Sequence, residues 1–281
     1  MRIDLHTHSN VSDGTETPTQ LMHAASVAGL DVVALTDHDQ TTGWAQATEA
    51  ASKLGLGFIP GMEITCQDSN GISVHLLSYL HDPSYQPLLD ELDNALNSRI
   101  IRARRIVDLL AEDYPISWDL VGEHCLPGST VGRPHIADAL VTAGVVENRN
   151  EAFANILSSR SRYYVSHPAV NPVTAVQLVR EAGGVPVFAH PKASARGRVV
   201  PDSTFHDMID AGLAGVEVHH RDNTAEGKTW LLELAAEHDL IVTGSSDYHG
   251  TGKLNRLGEN LTEPDMLQRI VDQGTGTSPS M

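Results

Sequence analysis

Seven short apolar or β-branched runs, most of them separated by a helical pattern, constrain the fold of this chain more than any single motif does. They lie at Arg2–His6, Asp31–Thr36, Gly57–Ile64, Val74–Leu80, Val185–Ala189, Gly215–His219 and Leu240–Thr243. Runs of this length and composition read as buried strands. The helices between them carry their own boundary signals. Thr17-Pro18 opens a helix over Thr19–Ala28, and Asn171-Pro172 opens one over Val173–Glu181; each pairs an N-cap side chain with proline at the first helical position. Gly29 and Gly183-Gly184 stop them. Strands alternating with helices predict a mostly parallel sheet, and seven of them fit a closed or nearly closed barrel.

The alternation fails over residues 81–184, which read as helix and loop. A long helix runs from Pro87 to Glu112 and carries Arg99, Arg102, Arg104 and Arg105; a second begins near Arg133-Pro134, and a third covers Glu151 to Leu157. The expected organisation is α/β: a barrel from residues 1–80 and 185–281, and a mainly helical insertion, 81–184, that serves as a lid or substrate-selecting wall beside the barrel mouth. The last residues, Gly274 to Met281, are small and polar and are expected to fray.

Composition narrows the function classes. The formal net charge of −17 argues against a surface that grips long duplex nucleic acid. No apolar run reaches the roughly 18 residues of a membrane span, and the N-terminus has no signal-peptide core, so a cytoplasmic protein without membrane contact is expected. Cys66 and Cys125 form no CxxC pair, which suggests neither a disulfide framework nor a thiolate metal site. Histidine is the anomaly, at 15 of 281 residues.

Where those histidines fall decides their meaning. His6 and His8, in Asp4-Leu5-His6-Thr7-His8, stand two apart at the end of the first strand and so share a face. Asp247 and His249 repeat that spacing after the last strand. His38 follows the second strand, Glu63 ends the third, His75 lies in the fourth, His190 follows the fifth, and Asp13 sits in a Ser-Asp-Gly turn. Strand C-terminal ends converge on one mouth in a barrel. Nine nitrogen and oxygen donors exceed what one ion needs, so two or three divalent ions are implied, with Glu63 able to bridge. Mn²⁺, Fe²⁺ and Zn²⁺ all suit such donors. A metal-bound hydroxide, and no protein side chain, is then the expected nucleophile, and hydrolysis of a phosphate ester the expected reaction.

Phosphate also needs a positive clamp. Arg133, at a helix start in Val131-Gly132-Arg133-Pro134-His135-Ile136, is the preferred ligand, with His135 beside it. Arg160 is a further candidate, as are Arg162, Lys192, Arg196 and Arg198. Asp37 and Asp39 are expected to orient a ligand, and His219 and His220 to play supporting or structural parts.

The ordered set Asp-Leu-His6-Thr-His8-Ser, Ser-Asp13-Gly, Thr-Asp-His38, Gly-Met-Glu63, His75, Ala-His190-Pro and Ser-Asp247-Tyr-His249 resembles the PHP (polymerase and histidinol phosphatase) superfamily over essentially the whole chain. Gly132-Arg133-Pro134-His135-Ile136-Ala137 looks like its stand-alone bacterial branch that acts on nucleotides. The resemblance implies a distorted seven-stranded (β/α)7 barrel and a trinuclear centre, with a counterpart for each of the nine donors. It also implies removal of the 3′-phosphate from nucleoside 3′,5′-bisphosphates and 5′-to-3′ trimming of short single-stranded RNA. One departure concerns the loop after Ala-His-Pro, where related sequences often place an arginine-aromatic pair and this chain has Lys192-Ala193-Ser194. The alternatives are a histidinol-phosphate or other small-molecule phosphatase with the same metal site, and a non-catalytic nucleotide-binding regulator. Amide hydrolysis through a carboxylated lysine fits less well, because Glu63 takes the bridging place.

Overall fold

In the computed structural model, which describes residues 1–125, 131–158, 160–165 and 169–281, all seven runs become strands of one sheet in chain order. They are β1 (Ile3–Asp4), β2 (Val32–Leu35), β3 (Gly57–Gln67), β4 (Ser73–Tyr79), β5 (Val185–Phe188), β6 (Gly215–His219) and β7 (Ile241–Gly244). Pairing is parallel from β1 to β3 and from β5 to β7, while β4 runs antiparallel to both neighbours. The exception has a local cause. The link between β3 and β4 is too short for a crossover, and Asp68 closes it as a tight turn, its Oδ1 accepting from the amides of Asn70 at 2.9 Å and Ile72 at 2.7 Å. At the open seam, Thr7 bridges Tyr248 and the amide of His8 donates to the Tyr248 carbonyl at 2.8 Å, so the barrel is nearly closed.

The helices are α1 (Pro18–Val27), α2 (Trp44–Leu54), α3 (Gln86–Leu110), α4 (Trp118–Gly122), α5 (Arg133–Thr142), α6 (Arg149–Asn155), α7 (Pro172–Glu181), α8 (Asp202–Asp210), α9 (Ala225–Glu237) and α10 (Pro264–Gln273). The cap signals act as read: Thr17 and Gln20 form a capping box at α1, and Asn171 accepts from the Val173 amide at α7. Leu88 and Leu92 of α3 join Ala175, Val176 and Val179 of α7 in the core cluster that lies against β3 and β4. The far half of α3, from Ala103 to Leu110, packs instead with α4, α5 and α6 in a separate cluster. One helix thus ties the two packing units together. No helix of the described residues is long and apolar enough to cross a membrane.

The C-terminal tail does not fray. Thr277 donates to the Leu80 carbonyl at 2.8 Å, and Ser280 and Phe58 exchange backbone hydrogen bonds of 2.9 and 2.6 Å. Its small residues make this possible: a Cβ on Gly276 would lie 2.2 Å from the Asp82 nitrogen, so only glycine lets the tail lie against the barrel.

Candidate metal centre

The two-residue alternation after β1 turns His6 and His8 into the barrel mouth, and Thr7 the other way, where its hydroxyl donates to the Ala34 carbonyl at 2.6 Å. In the β3–β4 ladder Thr65 faces His75 and Glu63 faces Leu77, so the Glu63 and His75 side chains emerge on one face. A parallel bridge sets His38 beside Glu63. His190 and Asp247 lie where the chain leaves β5 and β7, with φ of 33° and 54°, and Asp39 beside His38 has φ of 56°. Each such left-handed non-glycine residue costs about 1–3 kcal/mol, a strain concentrated at the mouth.

All nine sequence-predicted donors meet there, around Glu63. Its Oε1 lies 2.7 Å from His75 Nδ1 and 3.2 Å from His190 Nε2; its Oε2 lies 3.1 Å from His8 Nε2 and 3.3 Å from both His6 Nε2 and His38 Nδ1. Asp247 Oδ1 stands 3.5 Å from His6 Nε2 and 3.4 Å from His8 Nε2. Three donor groups are compact enough to hold an ion: His6, His8, Glu63 and Asp247; His8, Asp13, His38 and His249; and His38, Glu63 and His75. Almost all of these side chains are buried.

The proton inventory fits cations between these atoms. His249 Nδ1 lies 2.8 Å from the Asp247 carbonyl, which can only accept, so Nδ1 carries the hydrogen and Nε2 presents a lone pair. That Nε2 sits 3.1 Å from Asp13 Oδ1, and both atoms are buried without a hydrogen bond. Burial and the nearby Lys253 push the His249 ring down to about 4, which keeps it neutral. Two facing lone pairs repel unless a cation lies between them. His6 Nδ1 lies 3.0 Å from Glu217 Oε1 and its Nε2 is 3.0 Å from His8 Nε2. Around His6 burial is outweighed by the carboxylates of Glu63, Glu217 and Asp247, which draw positive charge to the site, raising His6 well above its ordinary value and, through Asp247 and Glu63, His8 to about 9. Contacts of 3.0 to 3.5 Å match the edge of a coordination shell with bonds of about 2.0–2.2 Å.

Of the residues that support these donors, Glu217 and Lys253 escaped the sequence analysis, whereas Arg196, Asp37 and Asp39 were named in it. Glu217 is fully buried, orients His6, and accepts the His190 amide at 2.8 Å through Oε2. Burial alone would raise its carboxyl, but His6, His220 and His190 carry it down to about 2. The available signal was a lone carboxylate inside the apolar run Gly215-Val216-Glu217-Val218. Asp247 Oδ2 receives Arg196 Nη2 at 2.6 Å and Lys253 Nζ at 3.1 Å, and these two cations hold the carboxyl well below its usual range against the effect of burial. Asp37 braces the loop that carries Asp13, accepting from Ser9 Oγ at 2.7 Å and Ser12 Oγ at 2.6 Å. Asp39 accepts the Thr65 amide at 2.7 Å and pairs with Arg99 Nε at 2.9 Å.

Of the expected phosphate contacts, Arg133 is partly buried at the start of α5, donates to the Leu157 carbonyl at 3.1 Å, and lies over the Phe153 ring. His135 is buried and its Nδ1 accepts the Gly132 amide at 3.1 Å, so it caps its own helix. Arg160 is exposed. Arg133 has cationic company. Arg102 donates to the Val165 carbonyl at 2.7 Å, and burial followed by Arg133 pulls its guanidinium down to about 10. Among the described residues neither arginine has a carboxylate partner, whereas Arg99 links them to Asp39 and Thr65 at the mouth.

A nearly closed barrel whose strand ends gather imidazoles and carboxylates around one shared glutamate defines a metal-dependent hydrolase. The PHP-domain family model matches residues 4–179. The 3′,5′-nucleoside bisphosphate phosphatase of Chromobacterium violaceum is 32% identical over 270 residues, 95% of this chain and 94% of that protein. The 5′-3′ exoribonuclease of Haemophilus influenzae is 32% identical over 272 residues, 96% and 97% of the two chains. A solved structure from Bifidobacterium adolescentis, described as a metal-dependent phosphoesterase, superposes with a TM-score of 0.94 at 45% identity, covering 97% of this chain and 96% of the other. The chain belongs to the PHP-domain family. It is a phosphoric ester hydrolase, and its clustered donors support divalent-metal binding.

Proposed function

We propose that this protein hydrolyses phosphate esters of nucleotides, removing the 3′-phosphate of nucleoside 3′,5′-bisphosphates and the 5′-terminal nucleotides of short single-stranded RNA, in the cytoplasm. The observation that carries the proposal is Glu63 within 3.3 Å of five imidazoles, with Arg99, Arg102 and Arg133 leading away from it. Two or three ions of Mn²⁺, Fe²⁺ or Zn²⁺ belong there. His6, His8, Glu63 and Asp247 would hold one, Asp13, His38 and His249 a second, and Glu63 with His75 and His190 a third. When bound, such ions activate water near neutral pH and neutralise charge on the phosphoryl oxygens.

The protein's own part is positioning. Glu217 holds His6 through Nδ1 and so aims its Nε2 at the place an ion would take. Arg196 and Lys253, resting on Asp247 Oδ2, put two positive charges beside the place where a phosphoryl group reacts. Arg102 and Arg133 lack carboxylate partners and suit a second phosphate on the same substrate, which distinguishes a bisphosphate or an RNA end from a monoester. The helical segment 81–184 supplies that selecting wall. The names of the Chromobacterium and Haemophilus relatives point to the same substrates.

The test is phosphate release by the Mn²⁺-loaded protein from adenosine 3′,5′-bisphosphate, histidinol phosphate and an aryl phosphate, with His6→Ala as control. Preferential release from the bisphosphate that the variant loses is the expected result. Preference for histidinol phosphate would overturn the substrate, and inactivity on all three would favour a regulator.

A further inference from the structure

A cleft of about 340 Å³ opens beside the metal centre, away from the arginine track. Three segments wall it, and each is anchored to a residue of the centre. Thr15 follows Asp13 in the loop after β1, and its amide donates to the His249 carbonyl at 3.1 Å. Thr251 to Leu254 continue the chain from His249. From the helical segment, Arg149 donates to the Asp13 carbonyl at 3.3 Å. The walls are closely fitted: a Cβ on Gly252 would lie 2.3 Å from Arg149 Nη1 and 3.2 Å from the His249 carbonyl, so a larger residue there would have to displace the Arg149 guanidinium.

The charges of this cleft do not suit phosphate. Arg149 is spent on Asp138, through bonds of 2.6 and 2.5 Å, and Glu147 adds another carboxylate to the lining. The remaining lining cation, Lys253, leans away toward Asp247. What the cleft presents is an apolar rim and two carboxamides, that of Asn150 and that of Asn148, whose oxygen accepts the Glu151 amide at 3.0 Å and leaves its NH₂ to donate. Leu254, 74% exposed, lines the cleft together with Val141, Asn148 and Asn150. Apolar surface next to a few directional polar groups is how proteins hold the flat face and hydrogen-bonding edge of a base. The volume falls at the lower end of the roughly 300–1,000 Å³ typical of small-ligand sites.

We infer that this cleft receives the nucleoside part of the leaving group, its base resting on Leu254 and Val141 with its edge toward Asn148 and Asn150. The inference rests on the nucleotide reading of the metal centre and assigns the two sides of the mouth different tasks: phosphate toward Arg99, Arg102 and Arg133, base toward Leu254. The cleft would then supply preference for a nucleotide over a base-free ester carrying the same two phosphates.

The experiment compares kcat/KM of the Mn²⁺-loaded protein for adenosine 3′,5′-bisphosphate and for 1,3-propanediol bisphosphate, in the wild type, Leu254→Asp and Val141→Trp. Leu254 is exposed, so its replacement leaves the fold intact, while Val141→Trp fills the cleft from α5. The expected result is that the nucleotide-to-diol ratio falls about tenfold or more in both variants, the scale set by losing an apolar contact in a pocket. An equal ratio in all three proteins would overturn the inference. If the wild type hydrolyses neither bisphosphate, the activity reading fails by itself, and calorimetric binding of adenosine decides the cleft: binding that Leu254→Asp weakens supports it, and no binding or equal binding rejects it.

Discussion

Replacing Glu217 by glutamine alters one functional group and no volume, yet it strikes the atom that sets the ligand form of His6. Both oxygens of Glu217 accept, Oε1 from His6 Nδ1 at 3.0 Å and Oε2 from the His190 amide at 2.8 Å. A carboxamide has one accepting oxygen, so its NH₂ must face one of these two donors. Leaving a buried donor unsatisfied costs about 1–3 kcal/mol, which corresponds to about a 5- to 150-fold change in an equilibrium constant. Partners that orient a metal-bound histidine are worth about 10- to 100-fold in affinity or activity, and the two figures agree. The expected outcome for Glu217→Gln is therefore a 10- to 100-fold weaker Mn²⁺ affinity. Equilibrium dialysis of the apoprotein measures it, with the urea midpoint of the apoprotein as the folding control and activity restored at high Mn²⁺. Wild-type affinity together with wild-type turnover would refute the claim that Glu217 acts through His6.

Three further outcomes are expected. Glu63→Ala should lose at least one ion by elemental analysis, because five imidazoles surround that carboxylate; a full metal content would contradict the bridging role. Arg133→Ala should lower kcat/KM on a bisphosphate about tenfold, the size of one charge-assisted contact, with metal content unaltered; wild-type kinetics on every phosphorylated substrate would remove Arg133 from the phosphate clamp. The third outcome concerns pH. Burial pushes the His81 ring down to about 4, against an ordinary value of 6.5, so the folded protein keeps it neutral while the unfolded chain takes up a proton below 6.5. The folded state is thus favoured fully above pH 6.5, and about 3 kcal/mol of stability is lost as pH falls from 6.5 to 4. Urea unfolding at pH 7 and pH 4.5 checks this, since His81→Phe should lose less stability on acidification than the wild type; an equal loss would exclude His81 as the cause.

Of the nine donors, Asp13, in a turn nine residues beyond β1, was legible only in the ordered motif set. The other eight could be found in the sequence because each stands at or near a strand end, or two residues from another donor, and strand geometry is local: side chains two apart share a face whatever the rest of the chain does. The same locality made the helix caps at Thr17 and Asn171 legible, together with the seven strands. The antiparallel course of β4 was within reach too, since the Asp68 turn is short, but the period of a strand carries no direction. Tertiary structure alone decided which atoms meet. Glu217 faces His6 across 211 positions of sequence, Arg196 reaches Asp247 across 51, and the tail from Thr277 docks on Leu80. Those pairings follow from register and barrel closure, which depend on the packing of every strand against its neighbours. A residue type and its spacing can therefore reveal what a side chain is able to bind, but its partner is set by which distant backbone the fold brings within 3 Å.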